Sequence, residues 1–489
     1  MSITKYLTIL CVGMLGAFSD PCVAADQISA GPLFQDFDLT LTPGHRKEIV
    51  SPFYYSEQKG DQHTWAIPPL TIAYTADPTI HYREFDFAYP VLTFDQFGTE
   101  YRLQFFQLFA FAGGNDTKDD HAKRFTLFPV YFQQRSPDPD QNYTAVVPFY
   151  GTIKSRLFRD QIDFVMFPLF SKTRKRDVVN YNMPYPIFCL TYGDGLRGWQ
   201  VWPLVGHEHK DVTTRTNMWG ESESVPGHDN KFVLWPFYTR SETDIGSTNP
   251  VHQEALIPAY SVTRSKMRDS TTYVWPFGVT HTADRDKGYT EWDAPWPLIV
   301  FARGEHKHTD RVWPFMSQAT NQFLESDWYL WPIYKFNRVH SGPLDRSRTR
   351  IGFFLYSDVT EKNTETGKAL HRQDLWPLFT HRKDFDGRER LQIFSAIEPV
   401  LPANKSVERD YSYVYSIWRA EKNPLTGASS QSLLWNMYRR EAAPQRKKIS
   451  LLFGLFQYQS TPEGAHWRVC YIPAGKTKNR PAREPSGQR

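Results

Sequence analysis

The sequence predicts an all-β protein built from a repeated antiparallel strand unit. A recurring motif places an apolar and an aromatic residue before a proline and an apolar residue after it, as in Leu234-Trp235-Pro236-Phe237. The motif returns about every 20 residues along a chain of 489, a period typical of repeat architectures. Aromatic residues make up 16% of the chain, and they are enriched in strands.

The first element is a secretory signal peptide, which we place at residues 1–25. Lys5 supplies the positive charge, residues 6–18 are apolar, and Val23-Ala24-Ala25 supplies small residues for cleavage. We therefore expect an exported protein of the periplasm, the outer membrane or the extracellular space.

The second element is a β-repeat domain over residues 26–475. We expect each unit of about 20 residues to form one strand and one polar turn, which gives about 24 strands paired in hairpins of about 40 residues. Copies of the motif are registered by Pro52, Pro69, Pro90, Pro129, Pro148, Pro168, Pro186, Pro203, Pro236, Pro258, Pro276, Pro297, Pro314, Pro332 and Pro377.

The motif itself suggests a buried strand. Residues 233–238 are apolar at every position, so a strand there would be apolar on both faces and buried on both. The sequence thus predicts stacked short strands with buried aromatic rings. The rings expected in the core are those of Trp235, Trp275, Trp313, Trp331 and Trp376.

Two overall arrangements fit these strands. A closed toroid, a propeller-like array or a layered stack would protect the strand edges from aggregation. A large transmembrane β-barrel is the alternative, because the signal peptide and the spacing both suit it. Short apolar cores and recurrent prolines count against that alternative.

The last element is a basic tail over residues 476–489, which we expect to be disordered. The chain after the signal peptide has only Cys189 and Cys470. One long-range disulfide or two free thiols both fit an exported protein.

Charge and motifs exclude several functional classes. Lys and Arg total 57 and Asp and Glu total 53, so we expect no nucleic-acid partner, which would require a concentrated basic face. The chain has no G-x-S-x-G elbow, no phosphate-binding glycine loop and no H-E-x-x-H motif. We assign no catalytic residue and expect no cofactor. Acid pairs such as Glu291 and Asp293 keep a carboxylate-dependent glycan-active enzyme as a third possibility.

Two sets of residues are candidates for binding. Paired histidines at alternate positions suit metal ligation on one side of a strand, and basic runs suit anionic polymers or lipid headgroups. The histidine candidates are His207, His209, His306 and His308. The basic candidates are Lys172, Arg174, Lys175 and Arg176.

The functional expectation is an exported, non-catalytic protein of the cell envelope or the medium that acts as a scaffold or binding surface. Its partner would be a glycan, an anionic envelope polymer or another protein, and membrane association also fits. The alternative is an outer-membrane β-barrel protein that forms a pore or an anchor. We expect binding on polar loops outside the strands, because loops can vary while strands must keep packing.

Overall fold

The computed structural model describes residues 31, 33–114, 122–217, 219–275, 277–402 and 404–477. The signal peptide and the tail from residue 478 lie outside the described residues. Within them the predicted all-β, antiparallel repeat is confirmed: 45 short strands account for most of the chain. Helical structure comprises α1 (Lys405–Asp410), α2 (Ser412–Tyr415) and the 3-10 turns Pro68–Leu70 and Pro139–Gln141.

The strands follow one another along the chain. The first group is β1 (Phe34–Asp38), β2 (His45–Ile49), β3 (Tyr54–Lys59), β4 (Gln62–Ile67), β5 (Ile72–Asp77), β6 (Tyr82–Phe87), β7 (Leu92–Phe97), β8 (Glu100–Phe105), β9 (Phe109–Gly113), β10 (Lys123–Leu127), β11 (Tyr131–Arg135), β12 (Tyr143–Val146), β13 (Tyr150–Arg156), β14 (Arg159–Val165) and β15 (Phe170–Lys175). The second group is β16 (Val178–Asn182), β17 (Phe188–Gly193), β18 (Leu196–Val201), β19 (Val205–Lys210), β20 (Thr213–Thr216), β21 (Ser222–Val225), β22 (Gly227–Val233), β23 (Tyr238–Ile245), β24 (Val251–Leu256), β25 (Tyr260–Ser265), β26 (Arg268–Tyr273), β27 (Val279–Asp284), β28 (Tyr289–Asp293), β29 (Ile299–Gly304) and β30 (Lys307–Val312). The third group is β31 (Met316–Asn321), β32 (Leu324–Tyr329), β33 (Tyr334–Ser341), β34 (Leu344–Ile351), β35 (Tyr356–Asn363), β36 (Ala369–Leu375), β37 (Phe379–Lys383), β38 (Glu389–Ile393), β39 (Trp418–Asn423), β40 (Ala428–Leu433), β41 (Tyr438–Ala443), β42 (Arg446–Leu451), β43 (Phe456–Thr461), β44 (Gly464–Val469) and β45 (Ile472–Thr477).

One antiparallel sheet contains 43 of these strands, each paired with its neighbours in the chain. The exception is the separate hairpin β20–β21, which lets β19 pair directly with β22. Among the described residues β1 pairs only with β2 and β45 only with β44. The expected closed toroid or propeller-like ring is therefore wrong, because the ladder has two open ends.

The repeat unit contains two strands, so the prediction of one strand per unit and about 24 strands is wrong. Residues 234–237 form the turn between β22 and β23, and each hairpin spans about 20 residues instead of about 40. The physical reason is proline, which has no N–H to donate and is therefore better placed in a turn than inside a ladder.

The turns with the motif are hydrogen-bonded to one another. Phe237 donates its backbone N–H to the Leu234 carbonyl at 2.7 Å and closes its own turn. The Trp235 N–H donates to the carbonyl of Pro203, in the preceding turn of this kind, at 2.6 Å. The peptide bonds before Pro203 and Pro236 are cis. The backbone ladder thus continues from the strands into these turns.

Antiparallel pairing divides the turns between two rims of the sheet. Because consecutive turns lie at opposite strand ends, every second turn falls on the same rim. One set carries no Asp, Glu, Lys or Arg, and we call it the aromatic–proline rim. Its turns are residues 50–53, 68–71, 88–91, 106–108, 128–130, 147–149, 166–169, 183–187, 202–204, 234–237, 257–259, 274–275 with 277–278, 294–298, 313–315, 330–333, 352–355, 376–378, 434–437, 452–455 and 470–471.

The opposite set of turns forms the polar rim, rich in Asp, Gly, Pro, Lys and Arg. Examples are residues 60–61, 176–177, 194–195, 285–288 and 384–388. One connection on the aromatic–proline side departs from the pattern, since residues 394–402 and 404–417 include α1 and α2 and contain charged residues.

The two faces of the sheet also differ. The strand residue next to the aromatic–proline rim is apolar from strand to strand, as in the laterally paired residues Tyr329, Tyr334 and Ile351. We call this line the apolar row, because directly paired residues share a face. The other face, here the polar face, carries Ser317, Trp328, Lys335, Arg350, Ser357 and Asp374 at the neighbouring positions.

The two ends of the chain meet through the polar face. Glu48 on β2 is buried and accepts hydrogen bonds from Tyr413 Oη at 2.5 Å and Asn436 Nδ2 at 2.8 Å. Ser51 Oγ lies 3.0 Å from the same carboxylate and 2.8 Å from Tyr413 Oη. Glu48 and Ser51 lie more than 350 positions before Tyr413 in the sequence. The contact therefore joins the first strands to the last part of the chain.

Arg409 of α1 is the centre of a second buried network. Its guanidinium lies 2.9 Å from Asp410, 3.3 Å from Glu84 and in contact with Asp86. Tyr55 Oη donates to the Arg409 carbonyl at 3.1 Å. Burial and nearby acids raise the pKa of Asp86 to about 6 even though Arg409 opposes this shift. We use the name clasp for α1 and α2 together with the residues of the first strands that they contact. These residues are Glu48, Ser51, Tyr55, Glu84 and Asp86.

Arg409→Ala should lower the free energy of unfolding by about 3–5 kcal/mol, because it leaves buried carboxylates without a partner. Thermal and urea unfolding of the purified protein measure the change. Arg338→Ala is the control, since its pair with Asp345 is partly exposed and lies outside the clasp, so it should contribute at most about 1 kcal/mol. Equal effects of the two substitutions would contradict a stabilising clasp.

Candidate functional site

The predicted histidine pair on β19 lies beside an acid. His207 Nε2 and His209 Nδ1 each lie 3.1 Å from the same oxygen of Asp229. Burial opposes ionisation of Asp229, but hydrogen bonds from His207, Lys231 and His209 outweigh it and lower its pKa to about 2. These ring nitrogens therefore already have an anionic partner.

The second predicted histidine pair, His306 and His308, does not form a common site with His207 and His209. His308 lies on β30, with its Nε2 3.1 Å from Asp310, and His306 lies in the preceding turn on the polar rim. In the described part of the chain, no group of three or more His, Cys, Asp or Glu side chains is arranged to hold a metal ion.

The basic candidates lie where β15 approaches the polar rim. Lys172 and Arg174 share the face of the apolar row, and Lys172 Nζ lies 5.4 Å from the centre of the Tyr181 ring. Lys175 ends the strand, and the Arg176 backbone N–H donates to the Asp160 carboxylate. The four residues form a basic patch at the end of β15, next to the polar rim.

The acid pair Glu291 and Asp293 lies on one face of β28. Glu291 is held by Lys307, whereas Asp293 is only 3% exposed and its Oδ1 has no hydrogen-bond partner. Burial, followed by the negative charge of Glu291, raises the pKa of Asp293 to about 6. The arrangement places a buried carboxyl beside a carboxylate that is paired with a cation.

The two cysteines within the described residues are free thiols. Cys189 is buried on β17 and its Sγ lies 3.0 Å from Asn180 Oδ1, while Cys470 is exposed on the aromatic–proline rim. The sequence was compatible with either one disulfide or two free thiols, and the structure has two free thiols.

The motif tryptophans are half-exposed, and the prediction that they lie in a core is wrong. Trp235 is 48% exposed and Trp331 is 46% exposed, and Trp275, Trp313 and Trp376 are similar. Their rings lie in turns, and all except that of Trp275 contact an aromatic ring of a neighbouring turn. Truncating one of them should therefore cost less than the several kcal/mol of a core truncation.

The rings form a row along the rim. Trp202 and Trp235 lie 5.7 Å apart between ring centres, and Trp313 and Trp331 lie 6.4 Å apart. Phe353 continues the row 6.3 Å beyond Trp331. These are ordinary distances for interacting aromatic pairs, so the rings order one another while leaving an apolar surface open.

The aromatic–proline rim is the strongest candidate for a functional surface. Exposed aliphatic and aromatic residues such as Leu204, Phe237, Phe315 and Ile333 follow one another along it. Apolar patches larger than a few hundred Å² are rare on proteins without a partner and usually mark binding sites. The regular alternation of apolar and polar turns is the sequence signal for this surface, and the single-strand interpretation of the motif missed it.

No protein-family model matches this chain, and a search of curated proteins finds no similar sequence. In the described ranges, neither helix has the length or apolar character needed to cross a bilayer.

Asp293→Asn should stabilise the protein at neutral pH. The folded pKa of about 6 exceeds the ordinary aspartate value of 3.8, so the energetic cost of ionising Asp293 is absent below about pH 4 and grows as the pH rises towards 6. We expect no difference in unfolding free energy at pH 4 and a gain on the order of 1–3 kcal/mol above pH 7. Urea unfolding at both values measures it.

Glu305→Gln is the control for that experiment, because Glu305 is exposed on the polar rim and its substitution should change stability by less than about 0.5 kcal/mol. A gain for Asp293→Asn that is equal at pH 4 and pH 7 would contradict a buried ionisable carboxyl.

Proposed function

We propose that this protein is an exported, non-catalytic scaffold of the cell envelope that binds a lipid surface through its aromatic–proline rim. The observation that carries the proposal is the segregation of turns: those of one rim have no charged residue and expose aromatic and aliphatic side chains, while most of those of the other rim contain charged or polar residues. The export signal of residues 1–25 supports an envelope location.

The chemistry of the rim fits the boundary between lipid headgroups and acyl chains. Tryptophan and tyrosine favour this boundary because each has an apolar ring and a polar atom. Leu204, Ile333 and Phe315 add purely apolar surface. Burying the exposed part of one such side chain stabilises binding by about 1 kcal/mol, so several turns together would give stable attachment.

The position of the charges sets the depth of insertion. Lys172, Lys231 and Arg240 lie two residues inside the apolar row on the same face. Each strand residue spans about 3.3 Å along the strand. If the apolar turn and the first strand position were inserted, they would reach some 5–10 Å into the boundary between headgroups and acyl chains. The cations would then lie at the level of the headgroups.

The polar rim remains in water in this orientation and carries the insertions. The separate hairpin β20–β21 lies between β19 and β22 on that side. Longer polar connections there, such as residues 246–250 and 364–368, could vary without disturbing the ladder. A membrane-bound sheet that presents polar loops is a scaffold for other envelope components.

Adding charge to the rim should abolish binding to vesicles. In the double variant Phe237→Glu and Phe315→Glu, two exposed rings are replaced by carboxylates that resist entry into lipid. We expect purified wild-type protein to float with phosphatidylethanolamine–phosphatidylglycerol vesicles in a density gradient, and the double variant to float at least tenfold less.

The matched control is Phe158→Glu with Phe323→Glu, because these two phenylalanines are exposed on the polar rim. It makes the same chemical change and should leave flotation unchanged. Absence of wild-type flotation, or equal loss in both double variants, would contradict binding through the aromatic–proline rim.

A further inference from the structure

Three cations meet on the polar face of strands β33 and β34. Lys335 is directly opposite Arg350 in the register of these strands, and Arg348 lies two residues along β34 on the same face. Directly opposite side chains in an antiparallel pair have Cβ atoms about 5 Å apart. We call Lys335, Arg348 and Arg350 the cation triad.

The adjacent strands supply no acid to the triad. Trp328 of β32 is opposite Lys335, while Ser357 and Val359 of β35 are opposite Arg350 and Arg348. Among the described residues no carboxylate lies within ion-pair distance of the three cations.

The nearest acids on this face are already engaged. Glu361 lies 2.9 Å from Arg346, and Asp374 lies 2.9 Å from Arg372 and accepts from Thr380 at 2.9 Å. Neither carboxylate is free to neutralise the triad, so its positive charge remains available to a ligand.

The triad is electrostatically unfavourable by itself. Burial, followed by the charges of Arg350 and Arg348, lowers the pKa of Lys335. Burial and the neighbouring arginines also lower the pKa of Arg348. Like charges placed side by side on a sheet are destabilising, so an anion bound between them would relieve a cost that the fold otherwise carries.

Two buried polar atoms in the same place lack partners. Arg348 Nε and Asn337 Oδ1 are both buried without a hydrogen bond, and Asn337 is directly opposite Arg348. One is a donor and the other an acceptor. A ligand that satisfied both would need an anionic oxygen and a hydroxyl group close together, because a bare anion has no proton to donate to Asn337.

We propose that the cation triad is a binding site for an acidic saccharide, in which a sugar carboxylate or phosphate accepts hydrogen bonds from Arg348 and Arg350. Lys335 adds a third positive charge, and a ring hydroxyl donates to Asn337. Arginine suits this role because its planar donors match carboxylate and phosphate oxygens. The site lies on the polar face, so its side chains point to the opposite side of the sheet from the apolar row, although Lys335 and Arg350 are only one strand position further from the aromatic–proline rim.

Binding of sugar polymers by the purified protein tests the site. Polygalacturonate represents sugar carboxylates, a phosphorylated mannan represents sugar phosphates, inorganic sulfate represents an anion without a proton, and dextran is the neutral polymer. We expect micromolar or tighter binding of at least one acidic polymer in isothermal titration calorimetry, weaker binding of inorganic sulfate and no binding of dextran.

The double variant Arg348→Gln with Arg350→Gln should weaken acidic-polymer binding at least tenfold. Its melting temperature without ligand should equal or exceed that of the wild type, because repulsion within the triad is reduced. Added polymer should raise the melting temperature of the wild type and not of the variant. Lys335→Gln is a second, milder variant that should weaken binding in the same direction.

The matched control is Lys172→Gln with Arg174→Gln, which removes the same charge from the other face and should retain binding. Equal loss in this control would show general attraction to positive charge and would overturn the proposal. Unchanged binding in the Arg348 and Arg350 double variant, or absence of binding to both acidic polymers, would also overturn it.

Discussion

Pairing of each strand with its neighbours in the chain is the constraint on which this molecule depends. Because every reversal brings the chain back antiparallel, turns alternate between two rims without exception along the main ladder. Residues about 20 positions apart therefore meet again on the same rim and in the same row. A simple local repeat, such as Leu234-Trp235-Pro236-Phe237, becomes a continuous surface many strands long.

Among the described residues, the first and last strands of this ladder do not pair with each other. The clasp partly replaces that pairing, because it links the first strands to the last part of the chain. Buried charges are costly unless they are paired, and here Arg409, Glu48 and their partners come from opposite ends of the chain. The need to satisfy these groups favours one mutual arrangement of the first and last strands. These polar contacts act together with buried apolar packing, since Tyr55, Val407 and Tyr413 are also buried in this contact.

The same sheet separates two kinds of binding chemistry. The aromatic–proline rim offers apolar surface that suits lipid, whereas the polar face concentrates cations such as Arg348 and Arg350 without acids between them. Their separation follows from geometry, since side chains alternate between faces and turns alternate between rims. A lipid surface and an acidic saccharide would therefore meet different side chains of the same strands.

The sequence by itself determined the all-β class, the antiparallel repeat and its period, because strand-forming residues, proline and short connections are local properties of the chain. It did not determine whether Trp235 or Trp331 lay in a strand or a turn, since a short apolar run is compatible with both. Nor could local pattern place Lys335 beside Arg350 or Arg409 beside Asp86. Those meetings depend on register and on contacts across more than 300 residues, so only the tertiary structure decided which polar groups are buried and which apolar rings face solvent.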